Sequence, residues 1–220
     1  IFTSYLGYSL DEITVSNIKI TGNKITKSEI ILREITFSEG SSFTMTNLNQ
    51  IIKESKQNLI NLKLFNFVEI NHVQKGNQVE MLIDVTERWY FWPYPILEIS
   101  ERNFNSWWGE FSASNYSDFS RLNYGLFFNW ENFRGRNELL LLKIRRGFKE
   151  HYLFSYQVPY FNEKKTIGIN TNIQFFRRKK SFYKTENNDL LYYTNNNQFT
   201  TKDYEFNTEL LYRKGVHKTH

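Results

Sequence analysis

The chain combines a high aromatic content with a low mean hydropathy. Its 220 residues are 18% aromatic, with 20 Phe and 14 Tyr, yet only 40% are hydrophobic and the mean hydropathy is −0.56. This combination is typical of strands that show one face to lipid and the other to water. No run approaches the roughly 20 apolar residues of a transmembrane helix, which excludes a helical membrane protein. The absence of cysteine excludes disulfides, cysteine-ligated zinc and thiol chemistry.

The charges and the histidines indicate neither a catalytic site nor a nucleic-acid-binding surface. The 28 basic residues are interleaved with 23 acidic ones, so the net charge of +5 is scattered along the chain. The four histidines are His72, His151, His217 and His220, and they include no pair at metal-ligand spacing. No nucleophile, phosphate-binding or dinucleotide-binding motif is present. We therefore expect no enzymatic activity, no metal, no cofactor and no nucleic-acid partner.

The first third of the chain predicts a small α+β domain. Residues 1–11 have no clear period and predict a linker. Ile13–Ile20 alternates apolar and polar residues with one phase slip, which predicts a strand with a bulge. A turn signal at Thr21-Gly22-Asn23 then precedes a short predicted helix over Glu29–Ile35.

A longer helix and two strands complete this predicted domain. Asn47–Leu64 has apolar residues at helical spacing, and Thr46 is its predicted N-cap. Phe67–Val73 and Gln78–Thr86 alternate on either side of a Lys75-Gly76-Asn77 turn, which predicts a β-hairpin. The order strand, helix, helix, strand, strand over residues 12–88 is long enough for an independent core.

From residue 89 onwards the chain consists of aromatic-rich alternating segments. The cluster that opens this part, typical of a membrane-interface anchor, is Trp89, Tyr90, Phe91 and Trp92. The six predicted strands are Ile96–Arg102, Phe119–Trp130, Asn137–Arg146, Tyr152–Val158, Thr166–Phe176 and Tyr204–Tyr212. Two long predicted loops, Asn103–Asp118 and Arg177–Lys202, fall at one end of these strands and short turns at the other.

This second part predicts an antiparallel transmembrane β-barrel portion over residues 89–220. Segments of about ten residues match a tilted membrane crossing, and short turns opposite long loops are the pattern of outer-membrane barrels. A soluble β-sandwich also alternates and is the alternative fold. Since an open sheet edge is not tolerated in hydrocarbon, a longer chain or a partner is expected to supply the remaining strands.

Pro93 and Pro95 have the same parity, so both lack an N–H along the same edge of the first predicted strand. Such an edge is easier to accommodate if it faces away from the next strand, toward the seam where a barrel closes. The alternative is that Pro93-Tyr94-Pro95 is a rigid linker ahead of a strand that starts at Ile96. The sequence leaves both interpretations open.

Both parts resemble the BamA/TamA superfamily, also called the outer-membrane-protein-85 family. The segment Glu12–Arg88 resembles its POTRA domain in Ile18-x-Ile20-x-Gly22-Asn23, Thr26, Ile30, Ile31, Arg33, Gly40, Phe43, Leu59–Leu62, Phe65-x-Phe67-Val68 and Val85-x-Glu87. The segment Trp89–Tyr212 resembles the opening barrel strands in Arg102-Asn103-Phe104-Asn105-x-Trp107-Trp108, Ser120-Arg121-x-Asn123-Tyr124-Gly125, Asn132-Phe133-Arg134-Gly135-Arg136-Asn137 and Val158-Pro159-Tyr160.

The resemblance implies an outer-membrane protein of a Gram-negative envelope with a periplasmic N-terminal domain, whose complete barrel has roughly sixteen strands. It further implies that the first barrel strand pairs with client strands, and the residues in question are Ile96, Leu97, Glu98, Ile99 and Ser100. A second implied pairing edge is the POTRA strand with Phe67, Val68, Glu69, Ile70 and Asn71. Main-chain hydrogen bonds, not side-chain chemistry, would mediate both contacts.

The expected function is therefore the assembly and insertion of outer-membrane β-barrel proteins by strand templating. The implied partners are unfolded outer-membrane or secreted client polypeptides, outer-membrane lipid and other subunits of an envelope complex. Two alternatives are a polypeptide translocation pore of the two-partner-secretion type and a structural subunit of such a complex. Because the predicted strand follows the predicted domain directly, a rotation of that domain is expected to be transmitted to the seam.

Overall fold

The structure of the protein is a computed structural model that describes residues 12–100, 103–162, 166–186, 189–194 and 198–212. The predicted linker, residues 1–11, lies outside the described residues. The chain divides into two compact units, which comprise residues 12–89 with 134–137 and residues 90–133 with 138–212. No helix in the described ranges is long and apolar enough to cross a membrane.

The first unit is an α+β domain with one four-stranded sheet. Its elements are β1 (Glu12–Thr21), α1 (Ser28–Glu34), β2 (Ser42–Thr44), α2 (Met45–Asn61), β3 (Phe65–Lys75) and β4 (Gln78–Glu87). The strand order is β2-β1-β4-β3, and β1 and β4 pair in parallel whereas the other pairs are antiparallel. The predicted bulge in β1 is confirmed, because the β1–β4 register shifts between Val15 and Asn17.

The core of this unit lies between the sheet and the two helices. The strands contribute alternate residues and α2 contributes one stripe at helical spacing, as the amphipathic patterns predict. The large members of the cluster that are most fully buried are Ile13, Ile31, Ile35, Phe37, Leu48, Leu59, Met81 and Ile83. The buried Ser55 on α2 is satisfied, since its hydroxyl oxygen accepts a hydrogen bond from the Thr36 N–H at 3.0 Å.

Two details at the ends of elements differ from, or add to, the sequence prediction. The N-cap of α2 is Thr44, not Thr46, because β2 ends at this residue and its hydroxyl accepts from the Asn47 N–H at 3.4 Å. At the end of β4, the Glu87 carboxylate accepts from the N–H groups of Ile25 at 3.0 Å and Thr26 at 2.6 Å. This carboxylate therefore fixes the loop between β1 and α1 to the C-terminal end of β4.

The second unit is an antiparallel meander. Its elements are β5 (Phe91–Ile99), α3 (Phe104–Ala113), β6 (Leu122–Phe133), β7 (Glu138–Gly147), β8 (Lys149–Val158), β9 (Ile167–Arg178), β10 (Lys180–Glu186), β11 (Asp189–Thr194) and β12 (Thr201–Tyr212). Six strands form one sheet in the order β12-β9-β8-β7-β6-β5, and β10 and β11 pair separately as a hairpin. Each of the six predicted strands overlaps one strand of this sheet.

Three sequence predictions for this unit were wrong in detail. The first strand begins at Phe91 instead of Ile96, because β6 is long enough to pair with the two prolines. The predicted loop Asn103–Asp118 contains α3, whose first turn is capped by the Asn103 side chain accepting from the Asn105 N–H at 3.0 Å. The predicted loop Arg177–Lys202 contains the hairpin β10–β11. Short elements of this kind carry too few periodic residues to be recognised from sequence.

Candidate functional site

The six-stranded sheet has one apolar face and one polar face. Cross-strand partners form rows that run across the sheet from β5 to β12. The central row on the apolar side consists of Pro93, Phe128, Leu142, Phe154, Ile173 and Phe206. The next row on the same face is Pro95, Leu126, Ile144, Tyr152, Phe175 and Tyr204. We call this side the apolar face. Many of its side chains are exposed, including Leu126 at 46% and Phe206 at 68%.

The opposite side, which we call the polar face, carries hydrogen-bonding and charged groups. One registered row on it is Trp92, Asn129, Leu141, Ser155, Asn172 and Asn207. Arg145 and Glu98 form an ion pair at 3.0 Å, and His151 bonds to Gln174 at 2.9 Å. The alternation predicted for Phe119–Trp130, Tyr152–Val158, Thr166–Phe176 and Tyr204–Tyr212 is thus confirmed. A contiguous exposed apolar face of this size in a folded protein marks contact with lipid or with another protein.

The apolar face ends in aromatic side chains near the start of β5. The Phe91 ring lies 5.2 Å from Trp130, and Trp130 lies 4.9 Å from Phe133, measured between ring centroids. Of the other predicted anchor residues, Trp89 is 65% exposed and Tyr90 is buried. Trp92 is registered with the polar face, since consecutive residues of a strand point to opposite sides.

The sequence predicts four consecutive residues as the anchor, whereas in the structure the Phe91 ring packs against the Phe128 and Trp130 rings of β6. The alternation of apolar residues in β6 could have indicated this contact. Trp130 continues that alternation, and the antiparallel register brings it next to Phe91.

The backbone groups of β5 alternate between β6 and the opposite edge. The Tyr90 carbonyl accepts from the Glu131 N–H at 2.8 Å, and the Ser100 N–H donates to the Arg121 carbonyl at 2.9 Å. The register between these two hydrogen bonds runs without a shift. Because successive residues direct their N–H and C=O groups to opposite edges, the even-numbered residues of β5 face β6 and the odd-numbered ones face away.

The part of this second edge from Pro93 to Ile99, which we call the open edge, consists of the outward backbone groups of Pro93, Pro95, Leu97 and Ile99. Among the residues that the structure describes, β5 pairs only with β6. The open edge carries four carbonyl acceptors but only two N–H donors, at Leu97 and Ile99, since proline has none. The two prolines are therefore part of the strand, which excludes the rigid-linker interpretation, and they face away from β6.

Only two of the five predicted template residues, Leu97 and Ile99, direct their backbone groups to the open edge. Leu97 and Ile99 present their N–H and C=O groups outward, and the Leu97 side chain is 78% exposed on the apolar face. Ile96, Glu98 and Ser100 direct theirs to β6. The Ser100 hydroxyl also accepts from the buried Asn123 side chain at 2.9 Å. Any strand that pairs with this segment would use the groups of Leu97 and Ile99.

The second predicted edge is strand β3 of the first unit. It pairs only with β4 within the described residues, so it lies at the edge of the sheet. Phe67, Glu69 and Asn71 point outward, and Phe67 is 71% exposed, whereas Val68 and Ile70 are buried in the core. The predicted alternation of Phe67–Asn71 is confirmed, and its use as a pairing edge stays a prediction.

No group of three or more His, Cys, Asp or Glu side chains in the described part of the chain is arranged to hold a metal ion. Two buried polar side chains of the second unit, Asn123 and Glu138, are bonded to groups of neighbouring segments. Asn123 donates to Ser100 and accepts from the Lys149 N–H at 2.7 Å, and Glu138 accepts from the Tyr156 hydroxyl at 2.7 Å. These contacts join neighbouring strands and are structural.

Comparison with known proteins finds one matching domain family and similar solved structures. Residues 13–88 match the family model described as POTRA, Surface antigen variable number repeat. The chain is similar to BamA from Haemophilus ducreyi lacking POTRA domains 1–3, with a TM-score of 0.54 and 21% identity over 77% of this chain and 28% of that chain. It is also similar to CdiB from Acinetobacter baumannii, with a TM-score of 0.44 and 14% identity over 77% of this chain and 30% of that chain. No match was found among the curated proteins.

These findings establish one domain and the fold of the strands that follow it. Residues 13–88 form a POTRA domain, and the antiparallel strands that follow have the fold of the corresponding part of BamA. The resemblance to the BamA/TamA superfamily that the sequence predicts is confirmed. The chain spans less than a third of the length of either solved structure.

Proposed function

We propose that this chain is part of an outer-membrane protein of the BamA/TamA type that assembles other β-barrel proteins. In this proposal the POTRA domain is periplasmic, the β5–β12 sheet forms part of the wall of a membrane barrel, and its apolar face contacts lipid. The role is not enzymatic. Client strands pair with the open edge of β5, and the observation that supports this most directly is the set of outward backbone groups at Leu97 and Ile99.

The positions of the two prolines are an argument for a barrel seam that can open at β5. An unpaired N–H in hydrocarbon costs on the order of several kcal/mol, so strands in a bilayer normally leave no open edge. Pro93 and Pro95 remove two of the four donors that this edge would otherwise expose. They lower the free energy of the unpaired state and weaken pairing in the same half of the strand. Stable pairing is thereby directed to Leu97 and Ile99.

Depletion of the protein in its native cell tests the proposed function. If it assembles barrels, we expect a general decrease of folded outer-membrane β-barrel proteins, measured by quantitative proteomics of the outer membrane. Loss of a single secreted client with normal barrel levels would contradict assembly and support a translocation pore, for which the polar face would line the path of the unfolded chain. Unchanged barrels and clients would leave only a structural role.

Restoring the missing donors should extend client contact along β5. The test compares two proteins that both carry Tyr94→Cys, one with the native prolines and one with Pro93→Val and Pro95→Val. We expect a client cysteine to form a disulfide at position 94 several-fold more often in the protein with the two valines. The physical reason is that each restored hydrogen bond contributes about 0.5–1.5 kcal/mol to strand pairing. Non-reducing gels of client-loaded membranes measure the cross-link, because the chain has no cysteine of its own.

Pro159→Val is the matched control, since this proline lies after β8 and away from the open edge. Cross-linking at Ile99→Cys should remain high in every variant. Equal cross-linking at position 94 with and without the prolines would show that they do not limit pairing.

A further inference from the structure

Helix α3 presents an aromatic stripe that sequence analysis did not predict. Phe104, Trp107, Trp108 and Phe111 follow the spacing i, i+3, i+4, i+7, which places them on one side of a helix. The Phe111 ring lies 5.5 Å from Tyr116 and 5.3 Å from Phe119, between centroids. We call these six residues the α3 aromatic cluster.

The cluster is packed within itself but remains exposed on its outer side. Trp107 stacks on Phe111 at 4.8 Å and is only 8% exposed, so it forms the centre. The surrounding rings are bare, since Phe104 is 58% exposed, Trp108 47% and Phe119 60%. Exposed aromatic rings in such density are unfavourable in water and indicate a partner surface.

The cluster lies in the connection between β5 and β6, at one end of the apolar face. The connection that contains α3 leaves from Ile99 at the end of β5 and returns at Leu122 at the start of β6, and these two residues are registered on the apolar face. The Leu122 N–H donates to the Phe119 carbonyl at 3.1 Å, which ties the cluster to the start of β6. The cluster thus lies beyond the ends of β5 and β6, next to the end of the apolar face.

The charge of α3 limits the kind of partner. Its one charged residue is Glu110, and that carboxylate forms an ion pair with Arg121 at 2.7 Å. The helix offers no cation to an acidic surface and no free anion to a basic one. Trp and Tyr rings, which combine an apolar body with a polar edge, are enriched where hydrocarbon meets the headgroup region.

We propose that the α3 aromatic cluster is a lipid-binding anchor, which inserts into the bilayer–water interface at the end of the sheet opposite Phe91 and Trp130. It continues the membrane contact of the apolar face, so this inference rests on the proposed membrane location of the sheet. The lipid contact is apolar and dipolar, and it therefore needs no acidic lipid.

Spin labels test this in the full-length protein reconstituted in nanodiscs of neutral lipid. Because the chain has no cysteine, single labels at Trp108→Cys and Phe104→Cys report the cluster, and Asn105→Cys reports the exposed polar side of the same helix. Leu126→Cys on the apolar face is the reference for lipid. We expect a several-fold higher ratio of oxygen to nickel-chelate collision rates at positions 104 and 108 than at position 105. Retained far-UV circular dichroism confirms folding, and two cluster positions guard against one disruptive substitution.

The other outcomes overturn the inference in distinguishable ways. Values at 104 and 108 equal to that at 105, with a lipid value at 126, would place the cluster in water and leave the membrane location of the sheet intact. Shielding of 104 and 108 from both reagents would show that protein covers the cluster instead of lipid. A water value at position 126 as well would contradict the membrane location itself.

Discussion

Leu97→Pro is expected to reduce the insertion of client barrels about tenfold or more while the β5–β6 pairing persists. The substitution removes one of two N–H donors on the open edge, and a client carbonyl left unpaired in a dehydrated seam costs about 1–3 kcal/mol. Each 1.4 kcal/mol corresponds to roughly a factor of ten in the pairing equilibrium. The Leu97 N–H faces away from β6, so the substitution removes no hydrogen bond from the existing sheet. Insertion of a model client into liposomes that contain the protein measures the effect.

Leu97→Ala is the matched control, because it truncates the same exposed side chain and keeps the N–H. We expect it to insert clients at close to the parental rate. Glu98→Pro should instead disrupt the sheet, since the Glu98 backbone faces β6 and its carboxylate pairs with Arg145 at 3.0 Å. If Leu97→Ala lost as much activity as Leu97→Pro, the side chain rather than the backbone donor would carry the function.

Gly22→Ala is expected to destabilise the POTRA domain by about 3 kcal/mol or more, at or above the upper end of the usual range for one substitution. Gly22 has φ +84°, and a Cβ atom there would lie 1.8 Å from the carbonyl oxygen of Val85. That oxygen belongs to the backbone of the central strand β4, so it cannot move aside without disturbing the β1–β4 pairing. Hydrogen-exchange mass spectrometry of the full chain should show loss of protection in β1 and β4.

Gly76→Ala separates the cost of the left-handed backbone conformation from the cost of the close contact with Val85. Gly76 also has a left-handed conformation, with φ +61°, but no atom lies within 4 Å of the position of an added Cβ. It should lose only about 1–2 kcal/mol, the usual penalty of that conformation for an L-residue. Similar losses of protection in both variants would mean that the close approach to Val85 is unimportant.

The alternation of side chains predicted most of the fold. Ile13 and Val15 of β1 and the clean alternation of Ile169, Thr171 and Ile173 in β9 are local patterns with period two, because successive residues of a strand point to opposite faces. The same holds for the period of α2, whose buried residues Leu48, Ile51 and Leu59 share one side. Periodicity sets which residues share a face whatever the neighbouring element is.

The errors of prediction have physical causes in short or irregular elements. The stripe of α3 extends over barely two turns and consists of aromatic residues, whose intrinsic preference is for strands. Pro93 and Pro95 obscured the start of β5, because proline is rare within paired strands and is admitted here only by its outward orientation. The strand β2 has three residues, too few for a period.

The sequence by itself determined the two faces of the sheet, the order of the POTRA elements except β2, and the shared parity of Pro93 and Pro95. The tertiary structure alone decided which edge of β5 those prolines occupy. The parity of a residue fixes that its backbone groups point to one of two edges, but the register with β6 selects the edge. The hydrogen bonds of Tyr90 and Ser100 to β6 make that selection. They leave Leu97 and Ile99 as the donors that face outward.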